Sequence, residues 1–347
     1  MTDIDQDALL REYNPILVIF PQDFSRPRPW RSRRKPNVGR GDYWPCSAEF
    51  FLSYACVRPA PRKWDMRFGK QIPPSPPDGL EAIHTRMLNT DRNATRDWEL
   101  DIGPIPSQRP DQAWEAYKQM VANYPEKFEP VVYGRAVRKG DRIGLEYWYL
   151  YAYNDMADYH EGDWENAAVE LDETGKPVRV GYSAHQVGSQ RPWERVEKRD
   201  RRPVLYVARG SHAGYFSHEK GGHQTDSFGR SKGLPWLLDL IVRQFHRIVL
   251  DVFVFLQWKD QTPAHPDYPS EGEDWNKGVF LSPRMIPLPR LDEIVDGSPF
   301  WWMKIACQWG SRHSRLRGSA GPRPAWEQNF EWDEPLAWLD TLHSLYE

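Results

Sequence analysis

Between positions 155 and 165 the chain carries Asp155, Asp158, His160, Glu161, Asp163 and Glu165, then runs into an apolar alternation through Ala167, Val169 and Leu171. Carboxylates and an imidazole gathered at the mouth of a strand are ligands for a divalent cation, or the acid and base groups of a hydrolytic centre. In an extended strand, side chains alternate between faces. Asp163 and Glu165 then share a face with Ala167, Val169 and Leu171, whereas Trp164, Asn166, Ala168, Glu170 and Asp172 share the other. The odd face is the apolar one, so its two acids point with the core. Partly desolvated carboxylates side by side are costly unless something positive compensates them. No Lys or Arg lies in this stretch. A bound cation removes the conflict, with His160 on the incoming loop; a turn cap or a sequence-distant arginine is the alternative.

Two further histidines stand at strand exits. His185 ends VRVGYSAHQ, and His212 follows PVLYVARG in GSHAGYF. The expected metal ligands are therefore Asp155, His160, Asp163, Glu165 and His185, with His212 either a ligand or the group that orients one. Oxygen donors favour Mg or Ca, whereas several directly bound imidazoles favour Zn or Mn. For hydrolysis, Glu165 or Asp163 would take a proton from a metal-activated water, and His185 or His212 would protonate the leaving group. The GSH at 210–212 lacks the glycine after serine of a nucleophile elbow.

The elements that must position these residues read mainly as strands. NPILVIFPQDF (14–24) is a first strand, and SAEFFLSYACV (47–57) is a buried strand or short helix. From Pro59 to Arg109 the chain reads as a long irregular excursion with a brief helix at GLEAIHTRML. DQAWEAYKQMVANYPEKF is a helix with Trp114, Tyr117, Met120 and Val121 on one face and a stop before Pro125. VVYGRAVRKGDRIGLEYWYLYAYN is two strands turning at Lys139–Asp141, and WENAAVELD, VRVGYSA and PVLYVAR continue the run. Consecutive strands predict a mainly β fold: an antiparallel β-sandwich centred on about 130–216, with peripheral helices and long loop insertions, in one domain. EPLAWLDTLHSLYE is the last helix.

The composition agrees: 17 Trp, 16 Tyr, 14 Phe and 31 Pro among 347 residues suit short strands joined by proline-bearing loops. A formal net charge of −3 argues against a nucleic-acid binder, despite the basic run RPRPWRSRRKP at 26–36. Three cysteines, Cys46, Cys56 and Cys307, form no disulfide framework or metal spacing. The acidic N-terminus lacks the pattern of a signal peptide, so a cytoplasmic location is expected. The stretch 234–258 is broken by Asp239, Arg243, His246, Arg247 and Asp251, which predicts a packed helix running into a strand and no transmembrane segment.

The order YWYLYAYND, HEGDWENAAVELD, YSAHQ and PVLYVARGSHAGYF resembles the vacuolar protein sorting-associated protein 62 family. Weaker matches at YNPILVIFPQD, DYWPCSAEFFL, CQWGSRHS and GPRPAWE extend this over most of the chain. That family has no well-defined biochemical activity, so the resemblance implies a fold more than a function. The acidic stretch is also similar to the signature of the necrosis- and ethylene-inducing peptide 1-like proteins, secreted cytolysins with a His, two-residue gap, Asp, Trp, Glu core. This second resemblance covers the sandwich centre. It implies that His160, Asp163 and Glu165, with Asp155 as the upstream acid, surround a divalent cation that helps engage a sphingolipid head group. Glu161 and Gly162 stand where the toxin motif has Arg and His, and the signal peptide and disulfide-forming pair are lacking, which argues against cytolysis.

The function expected first is binding: a necrosis-inducing-like, cation-bearing sandwich that recognises an anionic or polyhydroxyl lipid or glycan head group, with peripheral membrane association and surface aromatics such as Trp301 and Trp302. A metal-dependent hydrolase is the second expectation. A structural or trafficking-related protein whose cation staples loops is the third.

Overall fold

The computed structural model describes residues 5–22, 24, 42–59, 77–88, 98–105, 110–155, 160–184, 187–217, 262–267, 277–305, 307–310 and 330–344. The basic run at 26–36, the apolar stretch at 234–258, Asp158 and His185 lie outside the described residues.

Helix α1 (Gln6–Glu12) is capped by Asp5, whose carboxylate accepts from Ala8 N, and leads into strand β1 (Ile16–Ile19). Ser47 caps α2 (Ala48–Ser53) by accepting from Phe50 N, and the chain turns at once into β2 (Ala55–Pro59). The 47–57 stretch is thus both a helix and a strand. Helix α3 (Leu80–Leu88) is the expected brief helix, but β3 (Trp98–Ile102) adds a strand where irregular chain was expected. Helix α4 (Pro110–Asn123) buries Trp114, Tyr117 and Met120.

The strands read at VVYGRAVRK, RIGLEYWYLYAYN, WENAAVELD, VRVGYSA and PVLYVAR all form, and two further strands, at 187–192 and 198–199, arise between the last two where none was expected. Strands β4 (Val131–Lys139) and β5 (Arg142–Asn154) turn through Gly140, whose φ of 65° suits the tight reversal. Next come β6 (His160–Leu171), β7 (Pro177–Ala184), β8 (Val187–Pro192), β9 (Lys198–Arg199), β10 (Arg202–Val207) and β11 (Gly214–Tyr215). Strands β12 (Val279–Leu281), β13 (Arg284–Pro287) and β14 (Gln308–Trp309) precede a C-terminal arm of α5 (Phe330–Asp333), α6 (Pro335–Thr341) and β15 (His343–Ser344).

The architecture is mainly β. One sheet runs β13-β4-β5-β6-β7-β8-β15, a second β11-β10-β1-β12 with β9 on β10, and a third β14-β3-β2. The neighbours β4 to β8 pair antiparallel, as expected from short turns. Strands brought from afar pair either way: β1 with β10, β13 with β4, β14 with β3 and β15 with β8 are parallel, whereas β1 with β12 and β2 with β3 are antiparallel. The sheets are therefore mixed, because only the local hairpins are constrained to reverse.

Both faces of β5 and β6 are covered. Tyr147, Tyr149, Tyr151 and Tyr153 alternate along one face of β5, and Tyr149, Tyr151 and Tyr153 lie opposite Glu165, Asp163 and Glu161. On the other face Trp148 and Trp164 pack with Trp302, Trp309 and Trp332 at centroid distances of 5.5–6.5 Å. Trp164, Asn166, Ala168 and Glu170, expected on the more polar face, are all buried. The indoles and the C-terminal arm account for this. Trp302, expected at the surface, is in that core, and Trp301 is half-buried.

Candidate functional site

The hairpin of β5 and β6 brings Asn154 opposite His160 and Tyr151 opposite Asp163. The turn between β10 and β11 lays His212 over this end, its ring stacked on Tyr151 at 3.9 Å and 3° and edge-on to Tyr43 at 6.1 Å. His212 adopts φ 58°, a left-handed conformation that costs a non-glycine residue free energy, and its backbone N–H donates to Ala208 O at 3.1 Å.

Asp163 is the hub. Its Oδ2 lies 2.7 Å from His212 Nδ1 and accepts from Asn154 Nδ2 at 3.2 Å. Its Oδ1 faces His160 Nε2 at 3.7 Å, beyond hydrogen-bonding distance. Burial alone pushes the Asp163 carboxyl up. The His212 hydrogen bond, the charges of His160 and His212 and the Asn154 amide outweigh burial and hold it below the ordinary carboxylate value.

The tautomers follow from the partners. His160 Nδ1 lies 3.2 Å from Glu161 O, and a carbonyl only accepts, so this nitrogen carries the hydrogen. In a neutral ring, Nε2 then presents a lone pair to the anionic Oδ1. Either a second ring proton or a cation between the two relieves that repulsion. His212, donating from Nδ1 to Asp163, leaves Nε2 buried without a hydrogen-bond partner.

The other acids are held separately. Glu165 is half-buried and accepts from the Ser183 hydroxyl. Asp155 is buried, and its backbone N–H donates to Gly210 O at 3.1 Å, which ties it to the His212 turn. Glu161 accepts from Ile102 N at 2.7 Å, across in the small sheet. Gly162, at φ 65°, lies so close to β14 that a Cβ would sit 2.5 Å from Trp309 O. A Cβ at Gly310 would overlap Glu161 O in the same way. The two positions that differ from the toxin motif thus serve a backbone-to-backbone contact. Among the described residues, no group of three or more His, Cys, Asp or Glu is placed to hold a metal ion.

Asp163, His160 and His212 are therefore brought together, with Asp155 tied to the same turn and Glu165 engaged two positions along. Asn154 and Tyr151 were not read as site residues. Their signal was the register of the hairpin, which places them opposite His160 and Asp163. Cys46, Cys56 and Cys307 are buried thiols, none of them in a disulfide. Desolvation pushes the Cys56 thiol up to about 12 and that of Cys46 higher, so neither is a reactive thiolate.

No protein-family model matches the chain, so the resemblance to the vacuolar sorting family rests on the quoted motifs. No curated protein matches either. Solved structures that match include "Toxin fold for microbial attack and plant defense" (20% identity, TM-score 0.23), which covers 25% of this chain and 45% of that one. Necrosis and Ethylene inducing Protein 2, from the causal agent of cocoa's Witches Broom disease, is 24% identical at TM-score 0.23, with the same coverage. The non-toxic HaNLP3 protein is 12% identical at TM-score 0.30, covering 64% of this chain and 72% of its own. The first matched structures are thus spanned over less than half their length. Superposition this weak does not establish a shared fold. Among the described residues, no helix is long and apolar enough to cross a membrane.

Proposed function

We propose that the chain binds an anionic or polyhydroxyl head group, of a lipid or a glycan, through a divalent cation held between His160 and Asp163. The observation that carries this reading is the 3.7 Å gap between His160 Nε2 and Asp163 Oδ1. Two donors on one ion, each roughly 2.0–2.4 Å from it, stand about that far apart. Oδ2 is meanwhile taken up by His212 and Asn154, which fix the carboxylate and keep it anionic. Direct imidazole ligation across this gap suits Mn or Zn, whereas the carboxylate oxygens of the set suit Mg or Ca. Asp155 and Glu165 are the further oxygen donors of the proposed set, and His185 completes it. Coordination left open by the protein is filled by the head group.

Titration calorimetry with glucosamine and with inositol phosphate, before and after chelation, tests this. Binding that needs the added metal and is lost in Asp163→Asn supports it, and affinity indifferent to chelation overturns it.

A hydrolytic reading draws on one atom, the buried Nε2 of His212, which has no hydrogen-bond partner within the protein. Turnover of a phosphodiester or ester, abolished in both Glu165→Ala and His212→Gln, would favour it over binding.

A further inference from the structure

Three indoles from separate elements meet on the face of β6 opposite Asp163. Trp164 lies on β6, Trp302 on the short helical turn Trp301–Lys304, and Trp309 on β14. Their ring centroids stand 6.1 Å apart for Trp164 and Trp302, 5.6 Å for Trp164 and Trp309, and 5.8 Å for Trp302 and Trp309. Trp164 and Trp302 are near parallel at 23°, and Trp309 stands across both at 74° and 75°. None of the three is more than 5% exposed. The backbone holds this cage in place: Gly162 lets β6 close on Trp309 O, and Gly310 N, directly after Trp309, donates to Leu100 O at 2.7 Å.

Apolar packing leaves the polar atoms of the cage unexplained. The Nε1–H groups of Trp164, Trp302 and Trp309 are buried with no hydrogen-bond partner within the protein, and Trp148, 6.5 Å from Trp164, carries a fourth such N–H. A buried donor without an acceptor loses its hydration and gains nothing for it, so such groups are rare singly. Three in one cage mark a place for an acceptor.

The surroundings narrow what that acceptor is. An indole N–H donates and cannot accept. The Tyr133 ring lies 4.9 Å from Trp302, but its hydroxyl already accepts from Ala48 N at 2.8 Å and donates to Glu49 Oε2 at 3.4 Å. On the other side the Phe51 ring, 5.4 Å from Trp309, is apolar. A water placed here would have to satisfy its own hydrogens as well, and these groups offer it nothing to donate to. A species that only accepts fits instead, and the positive edges of the aromatic rings favour a negative charge on it. In so dry a cage a single, weakly hydrated charge costs least to bury, which selects a halide over a multiply charged oxyanion.

We propose that Trp164, Trp302 and Trp309 form a buried site for a small monovalent anion of the halide class, held by their three indole N–H groups. Such an anion binds the folded chain alone and stabilises it by mass action, on the face of β6 away from Asp163.

The test is thermal unfolding of the full chain with chelator present, in chloride or bromide and in gluconate at matched ionic strength. The melting temperature should rise and saturate with either halide and stay level in gluconate, which screens surface charges equally but is too large for the cage. Trp302→Phe keeps a ring in place and removes one donor, so it should lose most of the saturable rise. A crystal soaked in bromide should show an anomalous peak within hydrogen-bonding reach of the three Nε1 atoms, a readout that holds even where the variant fails to fold. A rise that is the same in gluconate, a saturable rise that Trp302→Phe retains in full, or a bromide-soaked crystal with no peak among the indoles overturns the proposal.

Discussion

His212 Nδ1 lies 2.7 Å from Asp163 Oδ2, a contact that spans 49 positions and fastens the turn after β10 to the opening of β6. Because the carboxylate is buried and anionic, losing this donor strands a charge. His212→Ala should cost about 2–3 kcal/mol in denaturant unfolding. Asn tolerates the left-handed backbone and offers an N–H at a similar reach, so His212→Asn should recover most of that loss. Equal destabilisation by both variants would show that the hydrogen bond is not what the position supplies.

Metal removal separates the residues of the acidic stretch. Under the proposed function, chelation should lower the melting temperature of the native protein and leave Asp163→Asn and His160→Ala unchanged, because only a folded-state ligand stabilises by mass action. Glu161→Gln should bind metal as the parent does, since an amide oxygen can still accept from Ile102 N. Metal analysis by mass spectrometry checks both.

Gly162→Ala should be among the most damaging single changes in the chain. It places a Cβ at φ 65° and 2.5 Å from Trp309 O, a backbone atom that cannot swing aside. The conformational cost alone is about 1–3 kcal/mol, with the overlap added to it. Gly310→Ala strikes the same interface from the other side, so the double variant should lose less than the sum of the singles. Thermal or urea unfolding of the three proteins decides this.

Acid should loosen the C-terminal arm through Asp340. Its hydrogen bond from Arg142, with help from Arg179, holds its carboxyl below the ordinary value. A folded-state value below the unfolded one means stability that is present above about pH 4 and lost as pH falls through the folded value. Asp340→Asn should therefore melt lower than the parent at pH 7 and match it near pH 2. Because the pair is partly exposed, added salt should shrink the difference at pH 7.

Much of the architecture was legible because its signals are local. The stop before Pro125, the turn at Lys139–Asp141 and the alternation through β6 act over a few residues, and each was enough to place an element; the caps at Asp5 and Ser47 were not read, so α1 was missed and 47–57 stayed a strand or a short helix. Strand β3 was missed because its short sequence, WELDI, carries two acidic side chains and follows charged neighbours. Glu99 and Asp101 are nonetheless buried, with Arg58 reaching both at 2.8 and 2.9 Å, and that arginine comes from the neighbouring strand. The even face of β6 looked solvent-facing for the same reason: the indoles and arm that cover it arrive from more than 100 residues away.

By itself, the sequence determined that acids and an imidazole would meet at a strand mouth in a mainly β protein, since spacing and periodicity fix which side chains leave a strand together. Tertiary structure alone decided their partners. Asp163 acquired His212, Glu165 acquired Ser183 and Glu161 acquired a backbone N–H of the small sheet, because a charge entering a low-dielectric interior is stabilised by whichever donor the fold delivers within about 3 Å, and chain order does not specify that donor.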